Sequence, residues 1–366
     1  MTYFADVYRG RRVLVTGHTG FKGSWLVLWL KHLGAEVAGY SLDVPSSPSN
    51  FDLLDLETQI SHYVGDIRDR ARLSQVLEEF RPDMVFHLAA QALVRLSYAD
   101  PVTTFETNIM GMVNLLECVR TCPWIEVAVL ITSDKAYQNV EWCWGYREND
   151  PLGGLDPYSG SKSCADLVAN SYYHSFLRHT PTRVATTRAG NVIGGGDWGN
   201  DRIVPDCVRA WSEGKSVMVR NPQATRPWQH VLEPLSGYLW LGARLWQKAK
   251  GLNGEAFNFG PDSVVNQTVA ELLCAMETRW PGAHWEVPDG CVQGNHEATL
   301  LKLSCDKALF HLDWRAVLNF SETAVFTVDW YRAWHGKELD LLTYTLDQID
   351  HYCQLAHAKG AAWIGA

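Results

Sequence analysis

The segment Arg12-Val-Leu-Val-Thr16-Gly17-His18-Thr19-Gly20-Phe21-Lys22-Gly23 constrains this chain more than any other, because an apolar strand runs straight into glycines three residues apart and then into a helix. Each glycine has a separate task in such a turn. Gly17 permits the sharp reversal, Gly20 lets backbone N–H groups approach a phosphate without a Cβ in the way, and Gly23 lets the helix pack closely on the sheet. The helix N-terminus adds partial positive charge, so the segment reads as a cradle for a dinucleotide pyrophosphate. Thr19, Phe21 and Lys22 lie inside the cradle and are cofactor-contact candidates.

The next segments agree with that reading. A helix over Phe21 to Leu33 is closed by Gly34, and Glu36 to Ser41 reads as a second strand leading to Asp43. Asp43 falls about twenty residues past the last glycine, where a carboxylate accepts hydrogen bonds from the adenosine ribose. It would repel a 2′-phosphate, which favours NAD over NADP. The competing reading of Asp43 is a solvated acid before Pro45.

At 366 residues the chain is long enough for one large domain or two smaller ones sharing an interface. A formal charge of −9 and the absence of any basic run speak against nucleic acid as a partner. Nine cysteines without a C-x-x-C pair form neither a disulfide framework nor a metal-ligand pattern, and read as thiols in a reducing cytoplasm. No apolar run approaches the roughly twenty residues of a membrane span, and no leader-like N-terminus is present. Sixteen tryptophans leave room for some to line a pocket, but single ones are more often core.

Strand-like and helix-like segments alternate through the first half, as in right-handed βαβ units on a parallel sheet. Strands are expected at Arg12 to Thr16, Glu36 to Ser41, Ser61 to Gly65, Asp83 to Leu88, Glu126 to Thr132 and Arg183 to Thr187. Helices are expected around Asp69 to Phe80, Pro101 to Arg120 and Pro157 to Arg178. The last two are long enough to pair across a two-fold axis, so a homodimer or homotetramer is expected. The fold class is therefore α/β, a Rossmann-type doubly wound parallel sheet with a smaller substrate-binding lobe. The lobe begins with the Gly-rich Asn191 to Trp198 and takes about 189–230 and 261–340. Residues 1–188 and about 231–260 form the nucleotide domain, with a helix over Val231 to Gln247 and a strand over Glu255 to Phe259. A helix over Ser321 to His335 packs on the lobe, and the packing of 341–366 is open.

Tyr158-Ser-Gly-Ser-Lys162 is the second strong signal. Residues four apart share a helix face, which sets the Lys162 ammonium beside the Tyr158 phenol. Nearby positive charge favours phenolate and brings the phenol toward use as a general base. The strand before it ends Thr132-Ser133-Asp134-Lys135, at the sheet edge where open α/β folds hold ligands. Ser133 can donate a hydrogen bond to the oxygen that Tyr158 deprotonates, while Asp134 and Lys135 supply an acid and a potential base.

Together with His87-Leu-Ala-Ala-Gln91, Trp144-Gly-Tyr-Arg-Glu-Asn-Asp-Pro-Leu-Gly-Gly154, Arg188-Ala-Gly-Asn-Val-Ile-Gly-Gly-Gly-Asp-Trp198 and Arg226-Pro-Trp-Gln-His230, these segments resemble the CDP-D-glucose 4,6-dehydratases. These are extended short-chain dehydrogenases/reductases, a class that uses the G-x-x-G-x-x-G spacing. The likeness runs from about residue 6 to about residue 335. Thr132-Ser-Asp-Lys135 is its most specific part, because dTDP-glucose dehydratases carry Thr-Asp-Glu there; Asp134 matches their acid and Lys135 replaces their glutamate.

The resemblance implies an NAD-dependent internal redox cycle on a nucleotide sugar, serving deoxysugar and O-antigen precursors. Tyr158 and Lys162 oxidise C4 with Ser133, Asp134 protonates the departing 6-hydroxyl, and Lys135 serves as the C5 base or holds the enolate oxygen or Asp134. It also implies cofactor contacts at Asp66, Ile67, Leu88, Ala89 and Ala90. Diphosphate and nucleotide contacts are sought at Asn191, Arg202, Arg220, Arg226 and His230, since forked guanidinium donors suit phosphate. A nucleotide-sugar 4-epimerase, a dehydratase of another NDP-glucose and a non-catalytic NAD-binding regulator are the alternatives.

Overall fold

Alternate residues of a strand face opposite sides, and in this chain both sides are apolar, which requires helices above and below one central sheet. The computed structural model, which describes residues 1–262, 265–288, 300–337 and 340–365, has that arrangement. Six strands, β1 (Arg12–Thr16), β2 (Glu36–Ser41), β3 (Ser61–Val64), β4 (Met84–His87), β5 (Val127–Ile131) and β6 (Arg183–Arg188), are joined by a seventh, Ala256–Asn258. The spatial order is seventh, β6, β5, β4, β1, β2, β3. Every pairing is parallel, with Val13 opposite both Val37 and Met84.

The chain winds outward from β1 to β3 and then crosses back to β4. That reversal opens a crevice at the C-terminal ends of β1 and β4, the place where doubly wound sheets take ligands. Val13, Val15, Phe86, Val129 and Ala185 face a core shared with helices Phe21–His32 and Leu232–Trp246. Leu14, Ala38, Val85, Leu130 and Val184 face the opposite core, under helices Arg70–Phe80, Gly111–Thr121 and Pro157–Tyr172.

The two long helices expected from the sequence are each interrupted. Between Pro101–Phe105 and Gly111–Thr121 the chain widens into π-type turns over Glu106–Met110, and Pro157–Tyr172 runs into similar turns over Tyr173–Leu177. At Gly111 the backbone passes so near Ile67 that a Cβ would lie 2.8 Å from its side chain. A widened turn just before it displaces the ladder, and such turns recur at functional sites.

The remaining elements form short two-stranded pieces. Val192–Ile193 pairs with Gln229–His230, Thr225–Arg226 with Gln267–Thr268, and Val217–Met218 with Trp285–Glu286. Helix Phe320–Gly336 lies against Val269–Glu277 and against Gln229–His230. The C-terminal segment forms helix Leu341–Ala358, which packs on Phe21–His32 as well as on Phe320–Gly336. Trp363 closes it, stacked on Phe4 at 4.8 Å and edge-on to Trp29, while the Phe4 N–H donates to the Trp363 carbonyl. Most tryptophans are core: Trp25, Trp29, Trp314, Trp330 and Trp363 are fully buried. Among the described residues no helix is long and apolar enough to cross a membrane.

Candidate active site

The glycine turn has the geometry its spacing requires. Gly17 has φ +73°, and a Cβ there would lie 2.7 Å from the Ala89 N atom. A Cβ at Gly23 would sit 2.1 Å from the Gly17 carbonyl oxygen, so Gly23 serves contact between the helix and its own turn rather than helix and sheet. Gly20 caps the helix and meets nothing closer than the Gly17 oxygen at 3.3 Å, which leaves the space in front of it for a phosphate. The Thr19 hydroxyl donates to the Asp43 carbonyl at 2.6 Å and its N–H reaches Ser41 Oγ, tying the turn to the end of β2. Asp43 is exposed just beyond that strand end. His18 fills the space beside Gly39, hydrogen-bonded to His62 and Ser41, and burial lowers its pKa to about 3.

Other cofactor positions differ in character. The Asp66 carboxylate takes hydrogen bonds from the Arg68 N–H and guanidinium, at 2.6 to 3.1 Å, and these hold its pKa low. Ile67 is buried in the core against Gly111. Leu88 and Ala89 follow β4, where their N–H groups donate to the Thr16 carbonyl and hydroxyl respectively. Ala90, next in the chain, is half-buried.

Tyr158 and Lys162 both lie in the first turns of helix Pro157–Tyr172 and are buried. The Tyr158 N–H is fixed to Ser97 Oγ at 3.1 Å. Burial pushes the phenol up to about 12, a shift opposed by a hydrogen bond with Ser133. Lys162 is lowered by burial to about 8, against the pull of Asp166 one turn away. Desolvation thus dominates the phenol, and the positive charge that opposes it comes from Arg202.

Ser133 and Asp134 follow β5, and the Ser133 hydroxyl donates to Asp134 Oδ1 at 3.0 Å. Asp134 is buried, and Lys135 beside it is half-buried. Lys22 stands with this group and not only with the phosphate cradle: burial lowers it to about 8, Asp134 opposes the shift, and Arg202 and Lys162 reinforce it. Arg202 donates to Asp197 Oδ2 at 2.8 Å and acts electrostatically on Tyr158. The guanidinium expected at the substrate phosphates is therefore already held by a carboxylate.

The other lobe candidates differ in exposure. Asn191 is half-buried at φ +28°, Arg220 is exposed after Val217–Met218, and Arg226 is half-buried with its guanidinium on the Thr225 carbonyl. His230 requires correction as a ligand contact. Its ring is fully buried between Trp25 and Phe326, and burial lowers its pKa to about 3, so it packs the strand against the core.

Some residues that shape the site escaped the sequence reading. Asn108, in the widened turn, holds Gln91 through N–H and C=O and donates to Ser161 Oγ at 2.8 Å. Asp166 accepts from Thr132 Oγ1 at 2.7 Å and pairs with Arg188 at 3.0 Å, fastening the Tyr158 helix to β5 and β6. A carboxylate four residues past Lys162 was the available signal for Asp166. A cleft of about 620 Å³ lined by Arg147, Asp166, His174, Arg188 and Lys307 lies apart from Tyr158 and Asp134, which are not among its walls. Among the described residues no cluster of His, Cys, Asp and Glu could hold a metal ion.

Known proteins place this geometry in a family. The model described as GDP-mannose 4,6 dehydratase matches residues 14–324. The CDP-glucose 4,6-dehydratase of Salmonella typhimurium is 48% identical over 353 residues, which cover 95% of this chain and 97% of that enzyme. A dTDP-glucose 4,6-dehydratase of Xanthomonas campestris is 26% identical, with 92% and 98% covered. Among solved structures, DesIV, a dTDP-glucose 4,6-dehydratase from Streptomyces venezuelae with NAD and TYD bound, superposes with a TM-score of 0.73 at 25% identity, covering 90% of this chain and 99% of that one. The Thermus thermophilus UDP-glucose 4-epimerase in complex with NAD superposes with a TM-score of 0.73 at 26% identity, covering 88% and 99%. On this match the chain belongs to the GDP-mannose 4,6-dehydratase family of extended short-chain dehydrogenases/reductases.

Proposed function

We propose that the chain is an NAD-dependent CDP-D-glucose 4,6-dehydratase, forming CDP-4-dehydro-6-deoxy-D-glucose and water. The 48% identity over nearly the whole length supports this substrate. The observation that carries the reaction type is the buried Asp134 carboxyl, set beside Tyr158 and bonded to Ser133. An epimerase needs a tyrosine, a lysine and a hydride carrier; loss of water also needs an acid at the leaving hydroxyl.

The glycine turn, Asp43 and Lys162 hold NAD, which when bound accepts a hydride from the sugar and gives it back. Tyr158 removes the 4-hydroxyl proton while Ser133 hydrogen-bonds the same oxygen. The 4-ketone acidifies the C5 hydrogen, which leaves to a base for which Lys135 is the nearest unassigned amine in sequence. Asp134 then protonates the 6-hydroxyl as it departs, and hydride at C6 together with a proton returned to C5 completes the 6-deoxy product. Arg202 contributes to the diphosphate, with Asn191, Arg220 and Arg226 completing the nucleotide site.

The protein acts in the cytoplasm as a homodimer or a pair of homodimers, in a route to O-antigen deoxysugars. Exposed apolar side chains on the helical face, Tyr98, Val102, Phe105, Met110, Leu167 and Phe176, support the pairing. Met110→Glu with Leu167→Glu should give a monomer by sedimentation.

The deciding experiment is turnover of CDP-glucose deuterated at C4, alongside dTDP-, UDP- and GDP-hexoses. Deuterium at C6 of a 4-keto-6-deoxy product is expected with the CDP sugar. Deuterium retained at C4 would establish an epimerase instead.

A further inference from the structure

The Asp134 carboxylate rests against main chain that another part of the sequence holds in place. Its Oδ1 accepts from the Ser133 hydroxyl at 3.0 Å, and its Oδ2 occupies the position that a Cβ of Gly190 would take. The Asp134 N–H reaches the Ala189 carbonyl at 3.4 Å. One wall of the seat for this acid is therefore the backbone at Gly190, just past the end of β6. Parallel pairing of β6 with the seventh strand brings Asn258 opposite Arg188 and is extended by the Phe259 N–H, which donates to the Arg188 carbonyl at 2.9 Å. Past that bond, the carbonyls of Gly190 and Phe259 both accept from one side chain, that of Gln229.

Gln229 is buried, and its Nε2 donates to Gly190 at 2.9 Å and to Phe259 at 3.2 Å. Two carbonyls need two N–H donors, which only the nitrogen end of a carboxamide carries, so the orientation of the group is fixed. Its Oε1 is buried without a hydrogen-bond partner among the described residues. An unpaired buried acceptor costs free energy, so the group is suited to this place by its two donors. The Gln229 backbone N–H donates to the Asn191 carbonyl at 3.3 Å, beside the short pairing of Gln229–His230 with Val192–Ile193. Asn191 itself stands at φ +28°, and such backbone persists only where its surroundings over-determine it. Gln229 thus grips two successive carbonyls of the turn that meets Asp134.

We propose that Gln229 is a positioning residue for the elimination of water: by holding Gly190, it sets where the Asp134 carboxyl stands. In this step the C5–H bond breaks to a base and its electron pair forms the C5–C6 double bond. The C6–O bond breaks, and the Asp134 proton completes the departing water, leaving a carboxylate. A proton donor must lie within hydrogen-bond reach of the leaving oxygen, and a wall that shifts carries the donor with it. Oxidation at C4 uses the Tyr158 phenol, whose helix takes no bond from Gln229, so the two steps depend on this side chain to different extents.

The proposal rests on Asp134 as the acid, so its test carries that assignment as a separate arm. Gln229→Met keeps the length of the side chain and removes both donors. With CDP-glucose in single turnover, C4 oxidation should keep its rate and the sugar nucleotide its affinity, while water loss slows about tenfold to hundredfold. The near-ultraviolet absorbance of reduced nicotinamide should then build up. Gln229→Asn keeps the amide but is one methylene too short to span both carbonyls; it should show the same split on a smaller scale, and it serves if Gln229→Met does not fold. Gln348, on the C-terminal helix, is likewise buried, with Nε2 on the Phe326 carbonyl at 2.8 Å and Oε1 without a partner among the described residues. Gln348→Met should lower the melting temperature without changing the ratio of the two rates. Either Gln229 variant added to Asp134→Asn should slow elimination no further than Asp134→Asn alone.

Equal slowing of both steps in the Gln229 variants, an unchanged elimination rate, the same change of ratio in Gln348→Met, or additive losses in the double variant would overturn the proposal. Asp134→Asn with a normal elimination rate would overturn both the acid assignment and the role of Gln229. The dehydratase reading would stand even then, because it is decided by where the C4 deuterium arrives with the unaltered protein.

Discussion

Gly190 and Asp134 approach so closely that a Cβ at Gly190 would lie 2.0 Å from Asp134 Oδ2. No rotation of the methyl group relieves that contact, so Gly190→Ala must push the carboxylate out of place. Misplacing a reacting group by about an ångström costs roughly 10²-fold in rate. Water loss should fall by about that factor in Gly190→Ala, while NAD affinity, governed by the turn at Gly17, stays unchanged. Rapid-quench product analysis and cofactor titration would measure the two separately.

Tyr158→Phe should lower C4 oxidation by about 10² to 10⁴-fold with little change in CDP-glucose affinity, the range for loss of a positioned base. Burial holds the phenol near 12, so at neutral pH only a small fraction is phenolate. The oxidation rate of the native protein should therefore climb with pH rather than fall, and the climb should vanish in Tyr158→Phe. Substantial remaining oxidation in that variant would remove Tyr158 from its role.

The sheet was legible because its inner strands are apolar on both faces and end at glycines or polar turns, and each was placed to within about a residue. Helix continuity was less so. The widened turns at Glu106–Met110 and Tyr173–Leu177 arise from close packing such as Gly111 against Ile67, which no local pattern encodes. Tyr158, Lys162, Ser133 and Asp134 could be grouped from the sequence because two fixed spacings carry them onto one sheet edge. Arginines of the lobe could not, since residue type says nothing of direction: Arg202 had a carboxylate partner in Asp197 five residues earlier, and His230 fell in a two-residue strand buried at both positions. The C-terminal helix lies past the segments that carried the resemblance, yet Trp363 and Tyr352 anchor it in the core beside Phe4 and Trp29.

Glu233 ties that C-terminal helix to helix Leu232–Trp246. Its carboxylate is buried, accepts from the Val317 and Leu318 N–H groups and from Tyr352 Oη, and is pushed up to about 7 by burial against the pull of those donors. The folded state thus binds more protons than the unfolded chain between its ordinary 4.5 and about 7. Stability from this group is full below the lower value and is lost as pH rises through the upper one, by about 3 kcal/mol at most. Glu233→Gln copies the protonated form, so its melting temperature should fall less than that of the native protein between those two pH values. Parallel profiles would show that Glu233 does not titrate there.

Lys162 carries the opposite sign. Its amine is lowered from 10.5 to about 8, so in the folded protein it resists a proton that the unfolded chain holds. The penalty is complete below about pH 8, is relieved as pH rises toward 10.5, and amounts to about 3 kcal/mol at most. Met has a similar length and no charge, and Asp166 keeps its partner Arg188 when Lys162 is replaced. Lys162→Met should therefore melt at a higher temperature than the native protein at neutral pH and lose the stability gain between those pH values, while turnover collapses. A group placed for catalysis at a cost in stability behaves in this way. If the variant were less stable than the native protein, the buried amine would be a structural support, and its place beside Tyr158 would need another explanation.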